Sequence, residues 1–353
     1  MTSPLLPAEG LDPALQEKLR ALHDPATYRE PVGRIETIET HCAWVFLTDA
    51  HAFKLKKPIR LDRMDNLLLS SRHYSCLEEL RLNRRLAPDV YLDVVSLNVN
   101  ESGVFSLGGG GVPVEWLVKM RRLPSELMLD HAIAAATVTA SALRGAAELL
   151  AEFYVEQASI NMSANAYLER MARQIETNHA ALLAADLGLS VQIVSAIISR
   201  QQEFLQRRSS LFIERAQLGK IIEAHGDLKP EHVYLGKPPC VIDCLEFDRD
   251  LRLLDPVEEL AFFSMECQRL GEAWIGREVT RIYAVVSGDR FEQSLFDFYL
   301  SRRATQRAVT AAWHLRDHAL KRSTDWRARA TAYLNDALRM LHGLGIGIET
   351  AKL

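Results

Sequence analysis

Along the chain, the main change in the spacing of hydrophobic and polar residues falls near residue 124. Between about residues 31 and 124, several segments alternate with a period of two, as in Arg34–Glu39 and Ala52–Lys57, which is typical of strands with one buried face. After residue 124, apolar residues recur every three or four positions, as they do on one face of an amphipathic helix. The pattern predicts an α+β protein with a small β-rich lobe and a large helical lobe.

For the first part of the chain we predict five strands and one helix. The strands are Arg34–Glu39, Ala43–Leu47, Ala52–Lys57, Val90–Val99 and Val112–Leu123. The helix, Ser70–Leu86, falls between the third and fourth strands and is followed by a proline. A small five-stranded antiparallel sheet with one inserted helix is the simplest assembly. Ahead of it, Asp12-Pro13 has the form of a helix N-cap followed by proline, which predicts a helical arm within residues 1–30.

A polar loop and two short apolar runs at 224–248 interrupt the helical pattern. The loop contains His225-Gly226-Asp227, and the second apolar run ends on Asp243. We therefore predict an arm at 1–30, a β-rich lobe at 31–123 and a helical lobe at 124–353, with a hairpin at 224–248. The hairpin would bring the carboxylates of Asp227 and Asp243 to the same end. Phosphoryl transfer uses such a pair, one acid to orient a hydroxyl and the other to hold a metal.

Composition excludes several classes of protein. A net charge of −4 is unlike the concentrated positive charge of nucleic-acid-binding proteins, so we expect no nucleic-acid partner. No apolar run approaches the ~20 residues that span a bilayer, and the first residues lack the basic-then-apolar pattern of a signal peptide. The five cysteines are an odd, scattered set rather than a disulfide framework. These features predict a cytoplasmic protein with no membrane partner, and they leave the oligomeric state open.

Three motifs, taken together, resemble those of a known family. They are His225-Gly226-Asp227, Ile242-Asp243, and an Asp255-Pro256 followed by Glu259-Leu260-Ala261. In this order, with a lysine-bearing strand upstream, they resemble the aminoglycoside phosphotransferases and choline kinases, and within that family a bacterial subgroup of uncharacterised proteins. The resemblance covers about 35–333 and implies a two-lobed protein-kinase-like fold. The activity it implies is ATP-dependent transfer of the γ-phosphoryl group to a hydroxyl of a small molecule.

The resemblance assigns roles to residues of the hairpin. Asp227 would be the catalytic base, which accepts or orients the proton of the acceptor hydroxyl, and Lys229 would face the transferring phosphate. Asp243 would bind Mg²⁺, and Glu246 could add a second carboxylate oxygen. The alternative roles are structural: an aspartate that caps a turn and a solvated surface lysine.

One position departs from the family pattern. The family usually has asparagine five residues after the catalytic aspartate, as a ligand of a second metal, and here that residue is His232. An imidazole can bind a metal but prefers softer ions than Mg²⁺. Three outcomes stay open: a single Mg²⁺, use of Mn²⁺, or loss of turnover.

The expected phosphate-binding lysine lies in the β-rich lobe. Strand alternation puts Lys54 and Lys56 on one face, and Lys54 fits the family motif better. Its partner would be Glu79, or Glu78 if the helix is rotated by one residue. The alternative is an edge strand whose lysines face solvent.

Further contacts are implied by topology alone. The loop with Thr40 and His41 would cover the phosphates, and Met120 and Arg121, in the segment that joins the lobes, would contact adenine. The expected cofactors are ATP and Mg²⁺, or Mn²⁺, and the expected partner is a small-molecule acceptor that the sequence does not identify. Two rival functions use the same fold: a nucleotide-binding pseudokinase that serves as a regulatory module, and a nucleotidyl (AMP) transferase.

Overall fold

The fold is seen in a computed structural model, which describes residues 12–61, 63–183, 188–314 and 325–342. The first eleven residues, which begin the predicted arm and carry the segment considered for a signal peptide, lie outside the described residues, as does the end of the predicted helical lobe at 343–353. The chain divides into two compact units, Met1–His131 with Tyr234–Arg249 and Ala132–Val233 with Asp250–Leu353. The predicted hairpin is thus shared between the units, and its two aspartates are described with different units below.

An antiparallel sheet of six strands forms the centre of the first unit. The strands of this unit are β1 (Glu36–Glu39), β2 (Ala43–Leu47), β3 (His51–Lys56), β4 (Arg60–Leu61), β5 (Met64–Asp65), β6 (Tyr91–Val99), β7 (Phe105–Leu107) and β8 (Val112–Arg121). The order in the sheet is β1-β2-β3-β8-β6-β7, and β4 pairs with β5 separately. Five sheet strands match the predicted ones. The sixth, β7, is a three-residue edge strand, too short for an alternating pattern to reveal.

Two helices pack against this sheet, on opposite faces of β3. They are α1 (Pro13–Leu22) and α2 (Leu69–Asn83). The leucines of α1 share a buried cluster with Phe53 and Leu55, whereas Ala52 belongs to a second cluster with a cysteine of α2. Because successive side chains of a strand point to opposite faces, Lys54 and Lys56 lie on the α2 side with Ala52. The alternation seen in the sequence therefore turns both lysines toward α2.

The second unit is mainly helical. The remaining helices are α3 (Leu129–Ala134), which begins in the first unit, α4 (Ala140–Glu156), α5 (Ala164–Leu183), α6 (Val191–Arg207), α7 (Ser209–Gln217), α8 (Pro256–Arg269), α9 (Ala273–Ser287), α10 (Gln293–His314) and α11 (Trp326–His342). The remaining strands are β9 (Ile222–Glu223), β10 (Val233–Tyr234), β11 (Cys240–Val241) and β12 (Leu253–Leu254). Buried residues occur on more than one face of α8 and α10, so these two helices form the core of the unit. The α+β class predicted from the sequence is confirmed.

Two further expectations concern cysteine and membranes. The five cysteines form no disulfide, as their scatter predicted. Within the described ranges, every helix is too short or too polar to span a bilayer.

Candidate functional site

Two lysines of β3 share one glutamate of α2. The Nζ atom of Lys54 lies 2.9 Å from Oε1 of Glu79, and the Nζ atom of Lys56 lies 2.6 Å from Oε2. The side chain of Glu79 is fully buried. The alternative partner, Glu78, instead pairs with Arg81 one turn further along α2. Both lysines reach Glu79 because residues two apart on a strand share a face and a carboxylate has two oxygens.

The same lysines also contact carboxylates from the segment after β11. The Nζ atom of Lys54 lies 2.5 Å from Oδ1 of Asp243, and Lys56 donates to Oε1 of Glu246. Burial favours the neutral form of both lysines, but the surrounding carboxylates outweigh it and raise both pKa values. Burial likewise opposes ionisation of Glu79, and the two ammonium groups overcome it and lower its pKa. Lys54, Lys56 and Glu79 are therefore charged at neutral pH. Counted formally, the two lysines and three carboxylates of the cluster carry one more negative than positive charge.

The backbone of Asp243 has an unusual conformation that two buried side chains hold in place. Its φ of 61° lies in the left-handed region, which aspartate tolerates better than most residues. The Asp243 N–H donates to the hydroxyl of Tyr91 at 3.0 Å, and the Cys244 N–H donates to Oδ1 of Asn83 at 2.8 Å. Sequence analysis missed Tyr91 and Asn83. The sequence did contain a signal for them. Tyr91 begins β6 and Asn83 ends α2, and a polar group at such a buried end needs a hydrogen-bond partner.

In the second unit, a buried carboxylate shapes the His225-Gly226-Asp227 loop. Glu259 of α8 accepts hydrogen bonds from the N–H groups of His225 at 3.1 Å and Gly226 at 2.5 Å, and from the hydroxyl of Tyr154 at 2.8 Å. Burial raises the pKa of Glu259 even though these donors oppose the shift. Gly226 has a φ of 91°, a conformation that glycine adopts at little cost. The loop thus depends on its glycine and on Glu259, which explains physically why the two motifs occur together here.

The loop holds Asp227 beside a lysine. The Nζ atom of Lys229 lies 3.0 Å from Oδ2 of Asp227 and 3.1 Å from Oε1 of Glu231. Burial disfavours ionisation of Asp227, but the ammonium of Lys229, together with His232 and Arg307, overcomes it and lowers its pKa. Asp227 is therefore ionised at neutral pH, as a group that accepts a proton must be.

Two imidazoles hold the backbone of Asp227. Nδ1 of His232 donates to the carbonyl oxygen of Asp227 at 2.9 Å, because a carbonyl can only accept. Nδ1 of His225 accepts the Asp227 N–H at 3.3 Å, so this imidazole helps to shape the loop. Both histidines are buried. The assignment of His232 as a metal ligand stays a prediction.

Two arginines of α10 near this loop were missed by sequence analysis. Arg303 donates to the carbonyl oxygen of Gly226 at 3.1 Å. Arg307, one turn further along, has its Nε 3.3 Å from Oε1 of Glu266 and contributes to the low pKa of Asp227. The signal was a pair of arginines four residues apart on a helix that is otherwise largely buried, where a charge without a partner is costly.

The other predicted nucleotide contacts lie in the first unit. Thr40 closes the turn between β1 and β2 through hydrogen bonds of 3.0 Å with Ala43, and His41 lies in the same turn. Met120 and Arg121 lie at the end of β8, in register with residues of β3. The roles of these residues in covering phosphate and contacting adenine stay predictions.

The carboxylate oxygens at and near Asp243 suit a hard cation that takes few of its ligands from protein. The side chain of Asp243 is 44% exposed, whereas that of Glu246 is 13% exposed and faces Lys56. Across residues 12–61, 63–183, 188–314 and 325–342, no group of three or more His, Cys, Asp or Glu side chains could hold a metal ion. Mg²⁺ commonly binds one or two carboxylates and completes its shell with substrate phosphates and water. The residues present fit that mode.

Removing the partner of Asp227 should weaken the dependence of stability on pH. Because the pKa of Asp227 is lowered by folding, its contribution to stability is present above its unfolded pKa of ~3.9 and is lost as the pH falls through the folded value. In Lys229→Ala burial is less opposed, so the folded pKa rises toward the unfolded one and this contribution becomes smaller. The variant should be less stable than the wild type near pH 7, and the difference should narrow as the pH falls below about 4. Urea midpoints from about pH 3 to about pH 7 measure this narrowing. Midpoints that change with pH in parallel in both proteins would contradict the assignment.

Comparison with known proteins places the fold in a defined class. No family model matches the chain. The choline kinase of Cryptosporidium parvum Iowa II superposes with a TM-score of 0.55 at 9% identity, covering 94% of this chain and 96% of that one. A thermostable mutant of the aminoglycoside phosphotransferase APH(4)-Ia gives 0.54 at 9% identity, covering 90% and 97%. A choline/ethanolamine kinase family protein from Mesorhizobium loti gives 0.52 at 14% identity, covering 94% and 100%. The chain has the protein-kinase-like fold of the choline kinases and aminoglycoside phosphotransferases, as its motifs predicted.

Relatives by sequence are more similar. The uncharacterized protein Rv2004c of Mycobacterium tuberculosis H37Rv and the uncharacterized protein Mb2027c of Mycobacterium bovis are each 35% identical over 278 residues, which is 78% of this chain and 54% of theirs. The chain therefore spans about half the length of the curated relatives it matches.

Proposed function

We propose that the chain is an ATP-dependent phosphotransferase that moves the γ-phosphoryl group to a hydroxyl of a small molecule. The observation that most supports this is Lys54, whose ammonium lies 2.9 Å from Glu79 and 2.5 Å from Asp243. In kinases a strand lysine that pairs with a helix glutamate contacts the nucleotide phosphates, and a nearby aspartate holds the metal. The structures that share the fold are small-molecule kinases, which supports the same reaction class.

In this proposal each charged residue has one task. Lys54 contacts the α- and β-phosphates, and Asp243 provides a carboxylate oxygen for Mg²⁺ or Mn²⁺. When bound there, the cation would supply positive charge that offsets the negative charge of the nucleotide phosphates. Asp227 accepts the proton of the acceptor hydroxyl while that oxygen forms a bond to the γ-phosphorus and the bond to the ADP oxygen breaks. Lys229, 3.0 Å from Asp227, stabilises negative charge on the transferred group.

Calorimetric titration of ATP into the chain, with Mg²⁺ and then with Mn²⁺, tests the nucleotide half. We expect a metal-dependent binding heat that Asp243→Ala abolishes, because that variant lacks the proposed metal carboxylate. Asp248→Ala is the matched control: Asp248 lies in the same segment but pairs with Arg63, so the variant should bind as the wild type does. Absence of ATP binding to folded wild-type protein with either metal would rule out the proposal.

Mass spectrometry of reactions with a library of small alcohols tests the transfer itself. A product that gains the mass of phosphate supports the proposal, and loss of that product in the Asp243→Ala variant ties it to this site. A product that gains the mass of AMP would instead identify a nucleotidyl transferase. ATP binding without turnover of any alcohol would indicate a regulatory nucleotide-binding module.

A further inference from the structure

We propose that Lys56 withholds Glu246 from the metal, so that Asp243 is the carboxylate of this cluster that binds the cation. This inference concerns the metal site of the proposed function and rests on it. It assigns Lys56 the task of a positioning residue, separate from the phosphate contact of Lys54. It also replaces the prediction that Glu246 is a metal ligand.

The contacts of the two lysines support this division. Both donate to Glu79, at 2.9 Å and 2.6 Å. Beyond that shared partner they differ, since Lys54 contacts Asp243 and Lys56 contacts Glu246. Each lysine of β3 therefore pairs with one acid of the segment after β11.

Burial separates the two pairs further. The side chain of Asp243 is 44% exposed, whereas the side chains of Lys56 and Glu246 are 3% and 13% exposed. Asp243 also contacts an ammonium group, that of Lys54, but its greater exposure lets a cation from solvent reach its carboxylate. To reach Glu246 a cation would have to enter a buried ion pair. Asp243 is thus the more accessible of the two carboxylates.

The charge balance explains what Lys56 prevents. With two lysines and three carboxylates, the cluster has a single excess negative charge. Removal of Lys56 would take away the ammonium group that Glu246 contacts in this cluster. It would also take away one of the two ammonium groups that Glu79 contacts. The affinity of a cation site rises with the number of carboxylates that face it, so the cluster would bind a divalent cation even without nucleotide. Lys56 therefore makes cation binding depend on the nucleotide, whose phosphates supply the missing negative charge.

Binding of Mn²⁺ alone to the full chain, measured by electron paramagnetic resonance, tests this role. Lys56→Met should bind Mn²⁺ at least about tenfold more tightly than the wild type, because Glu246 becomes available as a ligand. The double variant Lys56→Met/Glu246→Gln should return to the wild-type affinity. Lys57→Met is the control: Lys57 is the next lysine in the chain and pairs with Glu39, so its loss should leave Mn²⁺ binding unchanged. A folded Lys56→Met that binds Mn²⁺ no more tightly than the wild type, or a double variant that keeps the tighter binding, would overturn the proposal.

A second variant keeps the test decisive if Lys56→Met does not fold. Glu246→Gln retains Lys56 and should bind Mn²⁺ with a non-hydrolysable ATP analogue as tightly as the wild type does. A loss of about tenfold or more would identify Glu246 as a ligand and overturn the inference. Failure of the proposed function looks different: the wild type would then bind no ATP, while the effect of Lys56→Met on nucleotide-free Mn²⁺ binding could still be measured.

Discussion

Replacing Asp227 with asparagine is expected to lower the rate of the proposed phosphoryl transfer by about 10²–10⁴-fold, the range that a positioned general base contributes. Asparagine keeps the size of the side chain and loses the group that accepts a proton. Asp227 suits the role because its pKa is lowered by Lys229, His232 and Arg307 in spite of burial, so the base is available at neutral pH. Affinity for ATP should change little, since the phosphate lysine and the metal carboxylate are untouched. Rates of ADP release with the acceptor found by mass spectrometry measure the first effect, and calorimetry measures the second.

The neighbouring acid provides the control for this experiment. Glu231 also pairs with Lys229, at 3.1 Å, but its side chain is 47% exposed. Glu231→Gln therefore removes one carboxylate from the same loop while it leaves the proposed base in place, and turnover should stay within a few-fold of the wild type. Equal losses in Asp227→Asn and Glu231→Gln would show that the loop needs charge in general rather than a base at Asp227. Turnover that survives Asp227→Asn within about threefold would contradict general-base catalysis by this residue.

The largest effect on stability is expected from Arg215→Met. The guanidinium of Arg215 makes two hydrogen bonds of 2.7 Å to Asp255 and two more of 2.7 Å to Asp289. All three side chains are almost completely buried. Methionine would leave two buried carboxylates without their shared counter-ion, which costs about 3–5 kcal/mol for a buried pair. The urea midpoint should fall accordingly, and the helix α8 should be affected because Asp255 caps its first turn through the N–H of Val257 at 2.9 Å.

A surface arginine serves as the comparison for Arg215. Arg207 of α6 pairs with Glu203 one turn earlier, and its side chain is 71% exposed. Such pairs contribute about 0–1 kcal/mol because water screens them, so Arg207→Met should shift the midpoint little. Similar midpoints for the two variants would mean that the buried network does not stabilise the helical unit as its geometry indicates.

Much of the fold was predictable because its signals are local. A period of two marked β1 and β3, a continuous apolar run marked β2, and a period near 3.6 marked the helices. The strand β7 escaped prediction because three residues are too few to display a period. The glycine of the His225-Gly226-Asp227 loop was visible as part of a motif. The structure was needed to show why glycine is required there: its φ is 91°, and Glu259 binds the N–H groups of the loop. Tyr91 and Asn83 belong to no motif, because they accept hydrogen bonds from backbone N–H groups of a segment far along the chain.

The sequence by itself predicted which residues carry the chemistry, namely Asp227 and Asp243 by their motifs and Lys54 by its fit to the family motif, and these roles stay predictions. It also determined that Lys54 and Lys56 share a face, because the period of a strand is a local property of the backbone. Glu79 was already a predicted partner of Lys54, but only the tertiary structure decided which further carboxylate each lysine contacts. Lys54 meets Asp243 across 189 residues of sequence, and Lys56 meets Glu246 across 190. No periodicity links residues so far apart, because their contact depends on how buried side chains pack. That packing gives Lys54 and Lys56, which the strand pattern alone does not distinguish, two different carboxylate partners.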